Sequence, residues 1–394
     1  MADGARLMTD TESLVVQRTG LDDIAALKHE WLTLESTADT NVFLSWQWMG
    51  VWLDVYRPAT QVLRVFEGDR LIGLGLVVEV KERRHGVLVS QCLRLHQTGF
   101  QHLDQIWIEY NGFLAETGRE ADVAAACLRY LAQHWAGWEE FVVGAIDQSE
   151  AERYSRLSGL ELQTRWEAPC YGVDLDRMEQ QNQSYLDTLS RNTRYQIRRA
   201  HRLYEKRGEV RLLRPNNLAE ALTTFAAIGP LHRERWGSGK DQSGFANPEF
   251  INFHRSMIEQ HWADGGVDLV TIMAGNDRIA MFYNLLYRGV AYFYLGGLTV
   301  EEDNKLKPGL LGHSLCIEDY RQQGYHYYDF MGGEERYKAN LGTLSRHLVQ
   351  VALQRDRWKF RLENVARQAK HQLLGRAHKT KSTHQPTKGK PEQS

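Results

Sequence analysis

The chain has 394 residues, 42% hydrophobic and 25% charged, with 48 Lys+Arg against 50 Asp+Glu and a formal charge of −2. This is ordinary globular composition, which excludes disordered and collagen-like classes, and at about 150 residues per domain it predicts two or three domains. The apolar run 71–78 falls far short of the roughly 20 residues that span a bilayer, and the first residues lack an apolar signal core. Cys92, Cys127, Cys170 and Cys316 are too widely spaced for a zinc site or a disulfide framework. A cytoplasmic protein without metal is expected.

Alternation predicts a strand over 14–18, and Asp22-Asp23 then starts a helix with Ile24, Leu27, Trp31 and Leu34 on one face. A helix over 45–56 sets Trp48 and Trp52 one turn apart. Strands follow over 62–66 and 71–80, joined by a turn, then over 88–95, 105–108 and 141–145, with a helix over 121–135. After Ala168-Pro169 the order restarts with a helix over 184–204, a strand over 210–213 and a helix over 218–236. A glycine-rich loop over 237–244 leads to a helix over 248–263. Strands over 267–274 and 278–287 flank a Gly275-Asn276-Asp277 turn. A strand over 290–295, a loop over 296–307, a helix over 308–323 and a strand over 325–331 complete the unit.

Both parts follow one grammar: helices, a turn-linked hairpin, then strand–helix–strand. The chain is therefore read as α/β (α+β), a duplicated domain with parts over 1–175 and 176–354. A basic tail over 355–394 is expected to be helical and then disordered.

The small net charge conceals its distribution. Residues 190–214 carry +7, residues 355–394 carry +8, and the remainder carries −17. Arg191, Arg194, Arg198 and Arg202 recur at steps of three and four and form one stripe on a helix that has no acidic residue between 188 and 204. Like charges one turn apart repel, so the stripe needs either acidic groups elsewhere in the fold or a phosphate ligand. No nucleic-acid partner is expected. The basic tail suits an acidic membrane surface, an acidic partner, or solubility alone.

Three further stretches carry chemistry. Lys307-Pro308-Gly309-Leu310-Leu311-Gly312 opens a helix after a strand; its free N–H groups suit a phosphate, and an ordinary helix start is the alternative. Gly312-His313-Ser314-Leu315-Cys316 resembles a nucleophile elbow but lacks the last glycine and falls inside the helix, so a hydrolase is rejected. His232, Arg235 and Trp236 are candidate pocket residues under the glycine-rich loop. In Tyr325–Lys338, alternation sets Tyr327, Asp329 and Met331 on one face of a strand and Tyr328 and Phe330 on the other. A carboxylate at Asp329 is costly in a buried strand unless used or paired, and Gly332-Gly333 is expected to expose Glu334, Tyr337 and Lys338 at a rim.

Taken in order, Leu189-Ser190 with the arginine helix, Leu231-His232 with Arg235-Trp236, Ile279-Ala280, Pro308-Gly309-Leu310-Leu311, and Gly324 leading to Asp329-Phe330, Gly332-Gly333 and Tyr337-Lys338 resemble the tandem GNAT-type acetyltransferases of the CelD/BcsL group. That group is tied to cellulose and exopolysaccharide synthesis and is related to FemAB-type transferases. The first half also fits through Trp31, Phe43, Trp48, Trp52 and Leu71-Ile72-Gly73. The resemblance implies two tandem GNAT-like domains and acetyl-CoA or another acyl-CoA as co-substrate, held by Leu295, Gly296, Gly297 and Lys307 to Gly312. The usual phosphate signature is incomplete, because Leu306 and Leu311 occupy two of its key positions. The resemblance further implies acyl transfer to an amine or hydroxyl of a small or sugar-type acceptor in exopolysaccharide or cell-envelope biosynthesis. Asp329 or Glu334 would be the base and Tyr337 the acid. Arg191, Arg194, Arg198, His232, Arg235, Trp236 and Lys338 would contact the acceptor. The alternatives are a FemAB-like aminoacyl transferase and a non-catalytic accessory protein of a polysaccharide synthase.

Overall fold

The computed structural model describes residues 14–84, 88–239 and 242–364. Its first half runs β1 (Val15–Gly20), α1 (Ile24–Thr37), α2 (Trp46–Tyr56), β2 (Thr60–Glu67), β3 (Arg70–Arg84), β4 (Leu88–Leu95), β5 (Leu114–Ala115), α3 (Glu120–His134), β6 (Glu140–Asp147), α4 (Gln148–Ser158) and β7 (Glu161–Asp174). The second half begins with α5 (Leu175–Gln180), α6 (Tyr185–Thr188), α7 (Arg191–Tyr204), β8 (Val210–Leu213), α8 (Leu218–Trp236) and α9 (Pro248–His261). It continues with β9 (Val267–Ala274), β10 (Asp277–Tyr287), β11 (Val290–Leu298), α10 (Pro308–Gln322), β12 (Tyr327–Gly332), α11 (Arg336–Leu341) and β13 (Leu344–Gln354).

Local chemistry sets the helix starts. The Asp23 carboxylate accepts from the Ala26 N–H at α1, and the Asn217 side chain accepts from Glu220 N–H at α8. The helix expected over 184–204 is two helices. Leu189 is extended, and the Ser190 hydroxyl accepts from Thr193 N–H to begin α7 afresh. The strand expected over 105–108 is absent; Asp104–Ile106 is a single 3₁₀ turn, because the Asp104 carboxylate gathers the Thr98 and Gly99 N–H groups and folds the segment back on itself. Helix α4 and strands β7 and β13 have no counterpart in the sequence reading.

Each half contains an antiparallel four-strand run followed by one parallel strand: β1-β2-β3-β4 with β6, and β8-β9-β10-β11 with β12. The terminal strands are exchanged. β7, from the end of the first half, pairs antiparallel with β12, whereas β13, from the end of the second, pairs with β6. β7 and β13 also pair with one another, from Leu344↔Gly172 to Gln354↔Glu161, so one continuous sheet runs β1-β2-β3-β4-β6-β13-β7-β12-β11-β10-β9-β8. On one face α1 and α2 share a core with α8 and α9, around Trp31, Trp48, Trp52, Phe225 and Phe253. On the other face, α3 and α4 cover the first half and α7, α10 and α11 the second.

Glu140 of β6 fastens the exchanged strands. It is fully buried and accepts from Arg84 of β3, Arg165 of β7 (3.0 Å) and Gln354 of β13 (2.8 Å). Burial opposes its charge, but Arg165, Arg84 and Gln354 together hold its pKa at about 2. The folded-state value lies below the unfolded one, so this stability is present above about pH 4.5 and is lost as pH falls through about 2. Glu140→Gln is therefore expected to cost about 3 kcal/mol at pH 7. Urea unfolding should show that difference shrinking as pH approaches 2; a difference independent of pH would contradict the assignment.

Candidate active site

Strands β11 and β12 pair only at Val290↔Tyr327, Ala291↔Tyr328 and Tyr292↔Asp329. Beyond these pairs β12 stays on β7, while a bulge at Tyr294 turns β11 away, and the two strands splay into a wedge. The wedge holds a cavity of about 350 Å³ between Phe293, Gly296 and Leu298 of β11, Lys307 to Leu310 at the start of α10, and Arg235, His313 and Tyr337. Pro308 brings no N–H, Lys307 caps α10 without a side-chain hydrogen bond, and the first turn has no acidic residue. The first N–H groups of this 15-residue helix are thus left for an anion.

The equivalent gap in the first half is closed. Asn111 donates from its side chain to Leu95 O (2.9 Å) on β4 and from its backbone to Ala145 O (3.0 Å) on β6. Gln97 lies so close over Gly144 that a Cβ there would meet its amide at 2.8 Å. The first turn of α3 carries Glu120 and Asp122, which repel an anion where α10 would welcome one.

The wedge thus brings together Gly296, Lys307, Pro308, Gly309, Leu310, Arg235 and Tyr337 from among the expected residues. Leu295 and Gly297 lie buried toward the opposite core, with Leu295 paired to Tyr283 and Gly297 against Leu231. Leu311 faces the far side of α10, and Gly312 is buried against Phe282. His232 bonds to Ser243 through Nδ1 (2.8 Å), with its pKa lowered to about 4 by burial and by Arg235. Trp236 is exposed beside the Arg235 guanidinium. Arg191, Arg194 and Arg198 line a separate groove on the other side of α10. Ser314 lies buried within α10 with its hydroxyl donating to Leu311 O.

The rim expected after Gly332-Gly333 is only partly exposed. Glu334 is solvent-facing, but Tyr337 is half-buried and Lys338 is buried. The Lys338 ammonium folds inward to donate to Gly332 O (2.7 Å), which leaves it clasping the strand end rather than standing at a rim. Burial pushes the Tyr337 phenol well above its usual pKa, so it keeps its proton at any physiological pH. Its ring stacks on His313 at 5.3 Å.

Asp329 lies on the opposite face of β12 from the wedge helices, 1% exposed. Its carboxylate accepts from the Tyr110 hydroxyl (2.8 and 3.0 Å) and from Met331 N–H (2.7 Å), with Arg346 of β13 at 3.4 Å. Burial raises its pKa while Arg346 opposes the rise. Asp329 thus joins three segments: the first-half loop, β12 and β13.

Two residues that sequence reasoning did not single out complete the site. Glu109, 3% exposed, accepts from Gly332 N–H (2.8 Å) and from the Trp107 indole at the end of β12. Burial, reinforced by Asp329, raises its pKa to about 7. It is flanked by Trp107 (φ 48°) and Tyr110 (φ 50°), both in the left-handed region that non-glycine residues seldom adopt. His313 lines the wedge between Phe282 and Tyr337, its Nδ1 3.0 Å from the Tyr328 hydroxyl, and burial holds its pKa at about 3, so it is a neutral imidazole. Its signal in the sequence was its place one residue after Gly312; Glu109 had none, lying just past the strand expected over 105–108. Trp107 also lines a polar cleft of about 920 Å³, beside Arg94, Gln97, His102, Gln105 and Asn247.

Residues 191–339 match the family model of the acetyltransferase (GNAT) domain. Comparison with curated protein sequences finds no match. The fold is similar to that of FemX (TM-score 0.56, 12% identity, covering 84% of this chain and 96% of that one). It is also similar to L-PGS from Bacillus licheniformis (0.51, 12%, 86% and 96%). A third likeness is to the C-terminal domain of an Agrobacterium fabrum protein ascribed to the lysylphosphatidylglycerol synthetases (0.50, 9%, 84% and 92%). The second half of this chain thus matches the model of the GNAT acetyltransferase domain over residues 191–339, within an α/β fold similar to that of FemX.

Proposed function

We propose that the chain is an acyl-CoA-dependent acyltransferase whose donor lies in the β11–β12 wedge with its pyrophosphate at the start of α10. The observation that carries this reading is the contrast between the two halves: one wedge is open under an uncapped helix start, and the other is filled and faced by acidic residues. The acceptor is an amine or hydroxyl of a sugar-type molecule entering from the polar cleft beside Trp107, on the Glu109 side of β12. The CelD/BcsL resemblance sets that chemistry in exopolysaccharide or cell-envelope synthesis.

An acceptor ammonium must lose a proton before it attacks the thioester carbonyl. Glu109, with its pKa near 7, suits that proton best, because the Asp329 carboxylate is already engaged by Tyr110, Met331 and Arg346. Glu334, exposed on the turn after β12, is the alternative base. As the carbon–sulfur bond breaks, Tyr337, which keeps its proton, would donate a hydrogen bond to the leaving thiolate, which takes its proton from solvent, and backbone N–H groups near Leu295–Gly297 would face the oxyanion. Arg235, stacked over Tyr337, would steer an anionic part of either substrate.

Calorimetric titration with acetyl-CoA and longer acyl-CoAs tests the donor. One molecule is expected to bind per chain. Gly309→Asp should weaken binding by roughly tenfold or more while leaving the fold intact, since a carboxylate in the first turn favours the helix and repels phosphate. No binding of any acyl-CoA would favour the non-catalytic reading. The likeness to L-PGS and to FemX supports a second reading, an aminoacyl donor; transfer that requires charged tRNA and not acyl-CoA would establish it.

A further inference from the structure

On the side of α10 away from the wedge, a groove of about 960 Å³ runs between α6–α7 and α10. Its floor is aliphatic, formed by Leu186, Ile197, Leu311 and Leu315. Its rim is cationic. Among the described residues no carboxylate lies within ion-pairing distance of Arg191, Arg198 or Arg202, while Arg194 is paired with Asp187 and His201 with Glu205. Glu318, also on the wall, is held by Arg321. Tyr195 stands 54% exposed beside these arginines. An aliphatic trough under unpaired guanidinium groups is complementary to neither a sugar nor a free polyanion. A sugar would leave the floor unfilled, and a polyanion would gain nothing from it. An exposed tyrosine beside arginines is the pattern of residues that sit at a membrane–water boundary.

We propose that this groove binds one anionic phospholipid, its phosphate between Arg191 and Arg198 and an acyl chain along Leu186, Ile197, Leu311 and Leu315. The groove lies outside the wedge and outside the cleft at Trp107, so the proposal does not depend on the acyl-transfer reading. Binding draws its affinity from two separable parts, ion pairing at the rim and burial of methylenes on the floor.

The test titrates the full chain with monomeric dihexanoylphosphatidylglycerol, with dihexanoylphosphatidylcholine and with glycerol phosphate, below the concentration at which the lipids form micelles. The anionic lipid is expected to bind at least about tenfold more tightly than either comparison compound. The double variant Arg191→Glu/Arg198→Glu, both exposed and therefore harmless to folding, should weaken it by about tenfold or more. Leu315→Trp fills the floor without altering charge and should weaken the lipid by about tenfold while leaving glycerol phosphate unchanged. A melting temperature within a few degrees of the parent's qualifies each variant, and a failing substitution at Leu315 is replaced by Leu186→Trp. Glycerol phosphate binding as tightly as the lipid would overturn the proposal in favour of a plain anion site. Equal binding of the two lipids, or indifference to both sets of variants, would overturn it outright.

Discussion

Cut between Asp174 and Leu175 and expressed separately, the two halves are expected to aggregate or remain unfolded, and to recover a folded complex only when produced together. The reason is the exchange of β7 and β13. Without β13, β6 loses its antiparallel partner, and the first-half core loses Val349, Val351 and Leu353, all buried. At about 1.5–3 kcal/mol for each fully buried aliphatic side chain, that is roughly 5–9 kcal/mol, as large as the whole stability of an ordinary domain. Arg84 and Arg165 would meanwhile keep Glu140 but lose the Gln354 end of the cluster. The second half loses β7 from beside β12 and the α1–α2 side of the core it shares through Trp48 and Phe253. Circular dichroism and size-exclusion chromatography of each fragment and of the co-expressed pair would decide it. A monomeric first-half fragment that melts cooperatively would contradict this account.

Glu109→Gln should lower acyl transfer by about a hundredfold or more and at the same time stabilise the protein at alkaline pH. The folded-state pKa of Glu109 is raised from 4.5 to about 7. Native stability is therefore undiminished below about pH 4.5 and falls as pH rises through about 7, by about 3 kcal/mol in all. Glutamine removes the titration and keeps one acceptor for Gly332 N–H, at the cost of about 1 kcal/mol for a weakened bond to the Trp107 indole. A net gain of about 2 kcal/mol is expected at pH 8, and none at pH 4. As the base, Glu109 also gives kcat/KM a rising limb centred near pH 7, which the variant should lose. Full activity with an unaltered limb at pH 7 would leave the residue a structural acceptor only.

Most of this architecture was legible, for identifiable reasons. Where one face of an element meets solvent, the period shows. Strands β4 and β8 and helix α8 fall where alternation and capping put them, the buried β9 ends at the Gly275-Asn276-Asp277 turn, and α10 begins at Pro308 as its missing N–H requires. β7 and β13 were missed because they carry polar and charged residues along much of their length. Glu161 to Glu167 includes two glutamates, an arginine and a threonine, and β13 begins Leu344-Ser345-Arg346-His347. Such strands are central through their neighbours in space, which no local pattern reports. Charge totals pointed to the arginine stripe but not to its floor, because Leu311 and Leu315 come from a helix more than a hundred residues away. The wedge was readable at Pro308-Gly309-Leu310; Glu109 was not, since a buried carboxylate in a loop looks like a surface one until the fold closes over it.

The exchange of strands also imposes an order in time. As the chain is synthesised, β6 emerges long before residues 344–354, its permanent partner, so a complete first-half core cannot form until residue 354 has been made. Through that interval β6 offers an open hydrogen-bonding edge of Glu140-Phe141-Val142-Val143, apolar on both faces, which is the kind of edge that recruits other chains. β7 is the next strand, reached through α4, and because β6 and β7 both run antiparallel to β13 they run parallel to one another; an early parallel β6–α4–β7 pairing would be the natural temporary cover, to be opened later when β13 slides between them. Slow synthesis through residues 175–343 would then lengthen the life of that non-native pairing, and yield in the cell should depend on translation speed and chaperone supply more than on the stability of the finished molecule.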